Sequence, residues 1–468
     1  MSSLWQSLRR SGTSVIGALH APSGSVELRA LEHGSSIDGL ERLRGRTVML
    51  ATRNQLASGL GLIELDGLAR RVVLCTPDLS AEQFAALSVT AGADAIVLDA
   101  ESPFAETPLE KFVTHAVPEP AVPQPVAMPV AMPARAADLD TEWVLLTSGT
   151  TGLPKLVSHS FQTLAGALPR QQTSPRPMVW STFYDIRRYG GLQMFLRAVV
   201  SGAPMVLSSA GESTHDFLTR AAAAGVTHIS GTPSHWRKAL MSGEARIISP
   251  EYVRLSGEVA DQTVLDNLQD TYPGARVAHA FASTEAGVGF EVNDGRAGFP
   301  AGYIDNRQGP IEMKVQDGTL WIRSERTASR YLGDTAAALA HSDGFVDTGD
   351  MVELNDGRYF FRGRKGGIIN VGGLKVYPEE VEAILNADAR VRMSLVKAKR
   401  SPITGAVIAA EVVLAQGQNL DAAALEPIKN ELLDSCRRQL PAYKVPAMLR
   451  FVPTLEITAA GKLVRPNA

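Results

Sequence analysis

Cysteine, long apolar runs and surplus basic charge are all scarce in this sequence. Its two cysteines, Cys75 and Cys436, stand far apart among 468 residues, which excludes a disulfide framework and the closely spaced ligands of a zinc site. No apolar run reaches the roughly 18 residues that a membrane-spanning helix needs. The formal net charge is −3, whereas a nucleic-acid-binding protein usually carries a basic surplus. We therefore expect a soluble protein of a reducing compartment, the cytoplasm, without nucleic acid or a membrane among its partners.

The sequence does contain a regular alternation of short apolar strands and helices near its start. Ser80 is a plausible N-cap, because it precedes an apolar periodic run with an acid in its first turn. Short apolar strands that alternate with helices are typical of a parallel sheet covered on both faces. The pattern predicts an α/β fold, with strands at 47–51, 71–75 and 94–98 and helices at 55–68 and 80–90.

Further along, the pattern changes. Proline is frequent in residues 117–135, and this density predicts an extended surface linker between two lobes. Strands and helices alternate again after it, and then Asp-Gly pairs at 317–318 and 356–357 separate β runs, which is the pattern of antiparallel hairpins. The C-terminal part predicts a small unit of its own, with one helix opening at Pro378 and another holding Pro427 in its first turn.

The sharpest chemical motif is a loop rich in hydroxyls and glycine that follows an apolar strand. Its glycines let the backbone approach a ligand, and its hydroxyls and backbone N–H groups suit phosphate oxygens. Pro154 precedes the lysine of the loop and Leu156 follows it, so the loop lacks the Gly-Lys-Ser/Thr of a Walker A motif. The predicted phosphate-binding residues are Thr147, Ser148, Gly149, Thr150, Thr151, Gly152 and Lys155.

This loop resembles the signature loop of the adenylate-forming superfamily, which includes acyl-CoA synthetases, the adenylation domains of peptide synthetases and beetle luciferases. Further motifs of that superfamily follow in order, at 281–285, 347–350, 363–382 and 458–465. The resemblance is strongest to acyl-CoA or aryl-CoA ligases. It implies a large N-terminal domain of α/β layered subdomains plus a β subdomain, at 1–364, and a small mobile α+β C-terminal domain, at 365–468.

The resemblance implies a catalytic set of Lys155, Thr284, Glu285 and Lys462. Thr284 offers a hydroxyl to phosphate and Glu285 a hard oxygen to Mg²⁺, a metal that usually takes one or two protein carboxylates besides substrate phosphates. In the superfamily the C-terminal lysine, here Lys462, meets the acyl carboxylate and the α-phosphate and drives adenylation. Three histidines near the motifs, His159, His228 and His279, are interpreted as structural.

The resemblance also implies a nucleotide site. Asp350 accepts from the ribose hydroxyls, as the acidic residue of dinucleotide sites does, and Arg364 reaches ribose or phosphate. Adenine lies against the stretch Ser256, Gly257 and Glu258. The ring of Phe281 stacks on the base, and the same motif continues with Ala282 and Ser283, where alanine replaces the usual glycine beside the acyl pocket.

In the superfamily the small domain rotates between two half-reactions, and hinge residues absorb the change in backbone angles. The hinge is predicted at Lys365 and Gly366, where glycine takes the place of the usual aspartate or lysine. The thiol side is predicted at Gly372, Gly373 and Lys375.

The acyl pocket is predicted at Phe183, Tyr184, Asp185, Arg188 and Gly191. The aromatic residues favour an aromatic or medium-chain acid. Two alternatives stay open, because Asp185 would suit a substrate amino group and Arg188 would suit a second carboxylate or a phosphate of ATP.

The implied function is an ATP-dependent acid–thiol ligase. It forms acyl-AMP and pyrophosphate from a carboxylic acid and ATP·Mg²⁺, and then transfers the acyl group to a thiol, that of CoA. The alternatives are transfer to the phosphopantetheine of a carrier protein acting in trans, an amino-acid-adenylating enzyme, and a non-catalytic nucleotide-binding scaffold. A monomer or a homodimer is expected.

Overall fold

The structure is a computed structural model, and it describes residues 3–10, 17–117, 139–147, 153–168, 177–305, 309–333, 338–401, 405–415, 422–456 and 463. The proline-rich linker predicted at 117–135 lies outside these residues except for Val117. Within the described ranges, no helix combines the length and the apolar character that crossing a bilayer requires.

Strands outnumber helices among the described residues. The strands, in chain order, are β1 (Ala18–Ala21), β2 (Gly24–Glu27), β3 (Thr47–Leu50), β4 (Arg71–Leu74), β5 (Ala95–Leu98), β6 (Glu110–Val113), β7 (Glu142–Thr147), β8 (Lys155–Ser160), β9 (Trp180–Thr182), β10 (Met205–Leu207), β11 (His228–Gly231), β12 (Tyr252–Ser256), β13 (Arg276–Ser283), β14 (Gly287–Val292), β15 (Phe299–Pro300), β16 (Ile311–Gln316), β17 (Thr319–Ser324), β18 (Arg330–Leu332), β19 (Val346–Asn355), β20 (Arg358–Arg364), β21 (Ile369–Val371), β22 (Leu374–Val376), β23 (Val391–Ser401), β24 (Gly405–Leu414) and β25 (Met448–Phe451). The α-helices are α1 (Leu4–Arg10), α2 (Gln55–Leu65), α3 (Ala81–Ala91), α4 (Phe161–Ala165), α5 (Tyr189–Ser201), α6 (Thr214–Ala223), α7 (Pro233–Met241), α8 (Gln262–Thr271), α9 (Gly302–Asp305), α10 (Pro378–Asn386) and α11 (Ala422–Gln439).

The first sheet contains the strands that the apolar alternation predicts. Its order is β18-β8-β7-β4-β3-β5-β6, and β7, β4, β3, β5 and β6 run parallel. Ser80 caps α3 through a reciprocal pair of hydrogen bonds with Gln83, so the predicted N-cap is confirmed. The helix α2 ends at Leu65 rather than at residue 68.

A second sheet, of order β14-β13-β12-β11-β9-β10-β1-β2, is parallel through its centre. Buried residues of α5 join one apolar core with residues of both sheets, among them Trp143 on β7 and Trp180 on β9. The helix α5 therefore contributes buried side chains to the core that the two sheets share. The signature loop and the motifs at 256–258 and 284–285 follow the carboxyl ends of β7, β12 and β13, and such ends are where α/β sheets bind ligands.

The third sheet, of order β15-β20-β19-β17-β16, contains both predicted hairpins. Asp317 and Gly318 turn the first hairpin with φ of 52° and 76°, and Asp356 and Gly357 turn the second with φ of 46° and 74°. Two consecutive positive φ angles explain the Asp-Gly pairs, because glycine adopts this region freely and aspartate tolerates it.

The C-terminal elements enclose a core of their own around the sheet β23-β24-β25 and the hairpin β21-β22. Pro378 opens α10 as predicted. The prediction for Pro427 is wrong, because this proline lies inside α11, beyond its first turn. The domain boundary between residues 364 and 365 stays a prediction.

Candidate active site

The turn between β13 and β14 carries Thr284 and Glu285, and His159 fastens it to the first sheet. The Nε2 atom of His159 lies 2.8 Å from the carbonyl oxygen of Thr284. A carbonyl only accepts hydrogen bonds, so Nε2 carries the proton and Nδ1 accepts from the hydroxyl of Thr163, at 2.9 Å. Burial lowers the pKa of His159 to about 4. His159 is therefore a neutral anchor of the turn.

Further bonds fix the same turn. The backbone N–H of Ala328 donates to the carbonyl of Glu285, at 2.9 Å. Gly287, which follows the turn, has φ of 79°, and a Cβ there would lie 2.5 Å from the carbonyl oxygen of Arg326. Only glycine fits at this position, so the backbone around Glu285 is tightly defined.

Tyr331 on β18 connects the turn to the charged groups around it. Its hydroxyl donates to Oε1 of Glu285 over 3.4 Å, and the Nζ atom of Lys155 lies over its ring, 5.0 Å from the centroid. Burial and then Glu285 raise the pKa of Tyr331 to about 12, against a smaller opposite effect of Arg364. Tyr331 thus contacts Glu285 through its hydroxyl and Lys155 through its ring, and the charge of Arg364 acts on the same hydroxyl.

Asp350 and Arg364 face each other on the paired strands β19 and β20. Nε of Arg364 lies 3.2 Å from Oδ1 of Asp350, and the side chains are 66% and 16% exposed. The hydroxyl of Thr348, which donates to the carbonyl of Leu320, accepts from the N–H of Asp350. A fixed carboxylate beside a solvent-exposed arginine results.

The stretch 256–258 lies at the end of β12 and contacts three other parts of the chain. The hydroxyl of Tyr184 donates to the carbonyl of Ser256, at 2.6 Å. Oε2 of Glu258 accepts from the N–H of Ser234 in the first turn of α7, at 3.0 Å. Oε1 of Glu258 accepts from the N–H of Leu463, at 3.3 Å. The residue that follows Lys462 in the sequence thus lies beside the predicted adenine site, next to Gly257 with its φ of 87°.

Phe281 belongs to an aromatic cluster between the second and third sheets. Its ring stacks on those of Phe361 and Phe290, with centroids 5.2 and 5.8 Å away. Ser283 accepts from the N–H of Ala286, and Ala282 packs against the main core. Stacking of Phe281 on adenine stays a prediction.

The residues predicted to line the acyl pocket pack against other parts of the chain, and their grouping as a pocket stays a prediction. Phe183 contacts Phe217 and Trp236, in a second core built from β11, α6 and α7. Tyr184 braces Ser256, as described above. A Cβ on Gly191 would lie 2.2 Å from the carbonyl oxygen of Asp185, so Gly191 allows a close backbone approach.

The charged members of that predicted pocket already have partners. Asp185 accepts from Nε of Arg187 at 2.7 Å and forms a second bond with its Nη2, and the Arg187 side chain is only 1% exposed. Arg188 pairs with Asp78 at 2.6 Å. These pairs do not favour a substrate amino group on Asp185 or a substrate anion on Arg188.

Sequence reasoning missed several polar residues near the site. It interpreted His159 as structural without its bond to Thr284, and it did not single out Tyr331. It also passed over Gln193 and Arg197 on α5 and Arg254 on β12. A signal was present, because Gln193 and Arg197 stand four residues apart on an otherwise apolar helix, and Arg254 interrupts an apolar strand.

The predicted hinge residues Lys365 and Gly366 are exposed in a short 3₁₀ turn, Lys365–Gly367. Gly366 has no atom within 4 Å of an added Cβ, whereas Gly363, with φ of 117°, would bring a Cβ to 2.2 Å from Oε2 of Glu379. The positive φ of Gly363 favours glycine there, whereas nothing around Gly366 requires it. The predicted thiol-side residues lie on one hairpin, with Gly372 and Gly373 at its turn and Lys375 on β22.

The predicted residues Ser148, Gly149, Thr150, Thr151, Gly152 and Lys462 lie outside the described residues. Among those that are described, no group of three or more potential ligand residues forms a metal cluster. Glu285 is a single carboxylate. Such a donor set fits Mg²⁺, which completes its shell with phosphate oxygens and water.

Comparison with known proteins agrees with this architecture. The family model "AMP-binding enzyme" matches residues 54–332, and the model "AMP-binding enzyme C-terminal domain" matches 380–462. Among solved structures, a benzoate CoA ligase from Burkholderia xenovorans LB400 superposes with a TM-score of 0.78 at 18% identity over 99% of both chains. An anthranilate CoA ligase, AuaEII, gives 0.77 at 17% identity over 98% of this chain and 95% of that one. The predicted fold, a large α/β domain with a β subdomain and a small α+β domain, is confirmed.

Curated relatives are similar at modest identity. The p-hydroxybenzoic acid–AMP ligase of Mycobacterium tuberculosis is 26% identical over 344 residues, which cover 68% of this chain and 47% of that protein. This chain therefore spans about half the length of that relative. A 2-succinylbenzoate–CoA ligase of Geobacillus kaustophilus is 28% identical over 69% of this chain and 67% of that protein. The chain belongs to the AMP-binding enzyme family, the adenylate-forming superfamily that its motifs resemble.

Proposed function

We propose that this protein is an AMP-forming acid–thiol ligase. The observation that carries the proposal is the contact of Tyr331 with Glu285 and Lys155, beside Arg364. One acidic and two basic groups around a single tyrosine side chain suit a triphosphate with a bound divalent cation. The same site then serves both half-reactions, adenylation of a carboxylic acid and transfer of its acyl group to the thiol of CoA.

Lys155 and Thr284 bind the phosphates in this proposal, and Glu285 holds Mg²⁺, which neutralises phosphate charge when bound. Asp350 and Arg364 bind the ribose. Ser256, Gly257 and Glu258 border adenine, and Phe281 stacks on it. Lys462 brings its ammonium to the acyl carboxylate and the α-phosphate.

The chemistry needs positioning and charge stabilisation more than proton transfer. A carboxylate oxygen attacks the α-phosphorus of ATP, and the bond to pyrophosphate breaks. A thiolate then attacks the acyl carbon, and AMP leaves with the electron pair of the acyl–oxygen bond. His159, the histidine nearest the turn, uses both ring nitrogens in hydrogen bonds, so it holds the turn and transfers no proton.

We propose an aromatic acid as substrate. Two relatives are named as ligases of p-hydroxybenzoic acid and 2-succinylbenzoate. The two similar solved structures are named as ligases of benzoate and anthranilate. The Asp185–Arg187 pair counts against an α-amino acid. A carrier protein is the second candidate acceptor, because a fatty acid–[acyl-carrier-protein] ligase of Mycobacterium marinum is 24% identical over 378 residues. Both cysteines are free thiols, which suits the reducing cytoplasm that we propose as the protein's location.

Acid-dependent exchange of labelled pyrophosphate into ATP tests the proposal. We expect exchange with at least one aromatic acid and Mg²⁺, and none after chelation of the metal. No exchange over a broad panel of acids would favour the non-catalytic scaffold. Competition between CoA and a phosphopantetheinylated carrier then identifies the acceptor, and acylation of the carrier alone would overturn CoA as first choice.

A further inference from the structure

Arginine side chains gather around the buried Tyr189 at the start of α5, and the described residues offer little acid to match them. Arg197 lies on α5 and Arg254 on β12, and Arg326 follows β17. The acid among them is Glu291 on β14, whose Oε2 lies 3.2 Å from Nε of Arg254. That carboxylate is shared, because it also accepts from the hydroxyl of Tyr252 at 2.7 Å and lies 3.6 Å from Arg276. Positive charge is in excess.

Several polar atoms of this cluster have no hydrogen-bond partner among the described residues. They are Nη2 of Arg254, Nε of Arg197 and Oε1 of Gln193. Arg254 is 2% exposed and Gln193 is 1% exposed. A buried guanidinium N–H group without a hydrogen-bond partner is costly, and an anion that accepts from it removes this cost. The amide nitrogen of Gln193 donates to the carbonyl of Leu164, so its Oε1 suits water or a hydroxyl rather than an anion.

Among the described residues, the other side-chain hydrogen bonds of these arginines reach neutral carbonyls. Nη2 of Arg197 donates to Ala167 at 3.3 Å, and Arg326 donates to Gly166 and Val288. Burial, followed by the charge of Arg254, lowers the pKa of Arg197 to about 10. A pKa of about 10 leaves Arg197 positively charged at neutral pH. The guanidiniums therefore repel each other, and an anion between them would relieve that repulsion.

The cluster lies about one strand step away from the proposed adenine site. Tyr252, Arg254 and Ser256 alternate along one face of β12, and strand geometry separates neighbours on a face by about 7 Å. On α5, Tyr189, Gln193 and Arg197 follow at four-residue intervals, or steps of about 6 Å. Arg254 is thus one step deeper than Ser256, which borders the proposed adenine site. That step matches the length of a substituted benzene ring.

We propose, on the basis of the function proposed above, that the acid carries a second carboxylate and that Arg254 and Arg197 bind it. The planar forks of the two guanidiniums suit the paired oxygens of a carboxylate. The first carboxylate then lies on the side of the nucleotide site and undergoes adenylation. Arg254 and Arg197 select the substrate, and the phosphate-binding residues keep the role proposed for them above.

Pyrophosphate exchange with matched acids tests this proposal. The probes are benzoate, isophthalate, 3-(2-carboxyphenyl)propanoate and 2-succinylbenzoate, with a monomethyl ester of each diacid that leaves the reacting carboxylate free. We expect kcat/KM to be roughly 10²-fold higher for a diacid than for its ester, because the ester cannot form the charge-assisted hydrogen bonds of the second carboxylate. Arg254→Met and Arg197→Met should lower kcat/KM for the diacid roughly 10- to 100-fold and leave KM for ATP unchanged. Arg254→Lys should restore part of the loss.

Arg276→Met is the matched control, because Arg276 contacts the same Glu291 with a side chain that is 58% exposed. It should leave the preference for diacids intact. Equal use of diacids and esters, or an Arg254→Met variant that weakens all acids and ATP alike, overturns the second-carboxylate site while the ligase stands. Failure of the proposed function looks different, since no acid then supports exchange. Diacid-induced thermal stabilisation that Arg254→Met abolishes still tests the site in that case.

Discussion

Tyr331 uses its two ends separately, since its hydroxyl contacts Glu285 and its ring contacts Lys155. Tyr331→Phe removes the hydrogen bond and keeps the ring. Because a single hydrogen bond contributes about 1 kcal/mol, we expect KM for ATP·Mg²⁺ to rise roughly five-fold in pyrophosphate exchange. Tyr331→Ala removes both contacts and should raise it further. Equal KM values for wild type and the phenylalanine variant would show that the hydroxyl does not position Glu285.

His159 and His235 make stability depend on pH. Burial lowers the pKa of each to about 4, against about 6.5 in an unfolded chain. Between these values the unfolded chain binds protons that the native protein excludes, so stability is full above pH 6.5 and falls as the pH decreases toward 4. Each histidine should remove about 2 kcal/mol of unfolding free energy at pH 5.

Chemical denaturation followed by circular dichroism at pH 7.5 and pH 5 measures this loss. His159→Gln and His235→Gln should each reduce the difference between the two pH values, and the double variant should reduce it most. His159→Gln should also weaken pyrophosphate exchange, because His159 holds Thr284, whereas His235 caps α7. A pH dependence that is the same in all variants would contradict the neutral state of these side chains.

At the scale of single elements, the start of α5 depends on Gly191. A Cβ there would lie 2.2 Å from the carbonyl oxygen of Asp185, and backbone cannot yield as a flexible side chain does. Gly190, its neighbour, would place a Cβ 3.7 Å from the ring of Tyr184, which is ordinary contact. We expect Gly191→Ala to cost about 3 kcal/mol or more of unfolding free energy and Gly190→Ala less than about 1 kcal/mol. Thermal unfolding compares the pair, and similar melting temperatures would be inconsistent with the close approach.

The sequence predicts the elements well because their signals are local. Apolar runs, the cap at Ser80 and the Asp-Gly pairs each identify an element from a few neighbouring residues. Contacts between elements leave no such local trace. His159 and Thr284 are 125 residues apart, and Arg188 and its partner Asp78 are 110 residues apart. The motifs therefore predict which residues form the nucleotide site. The contacts of Tyr331 and Arg254 depend on how distant elements pack, and only the structure shows them.

At the scale of the whole molecule, a hydrogen bond connects Leu463 to the predicted adenine site at the end of β12. The N–H of Leu463 donates to Glu258, and Glu258 also holds the first turn of α7. The hairpin β21-β22, which carries the predicted thiol-side residues, exposes Gly372, Gly373 and Lys375 in this arrangement. Under the proposed function this arrangement corresponds to an adenylation state, and rotation of the small domain is the proposed step that would bring the thiol-side residues to the site.

Alternation between two states predicts that the half-reactions fail independently. Lys462→Ala should lower pyrophosphate exchange by roughly 10²-fold, because it removes charge that stabilises the transition state. It should leave acyl transfer from synthetic acyl-AMP to CoA within about three-fold of wild type, since that step does not use the lysine. Lys375→Ala should show the reverse, with normal exchange and slower transfer. Lys399→Ala, at an exposed position on β23, is the control and should leave both rates unchanged. If Lys462→Ala slowed both half-reactions equally, a single arrangement of the domains would serve both steps, and the assignment of Gly372, Gly373 and Lys375 to a separate thiol state would fail.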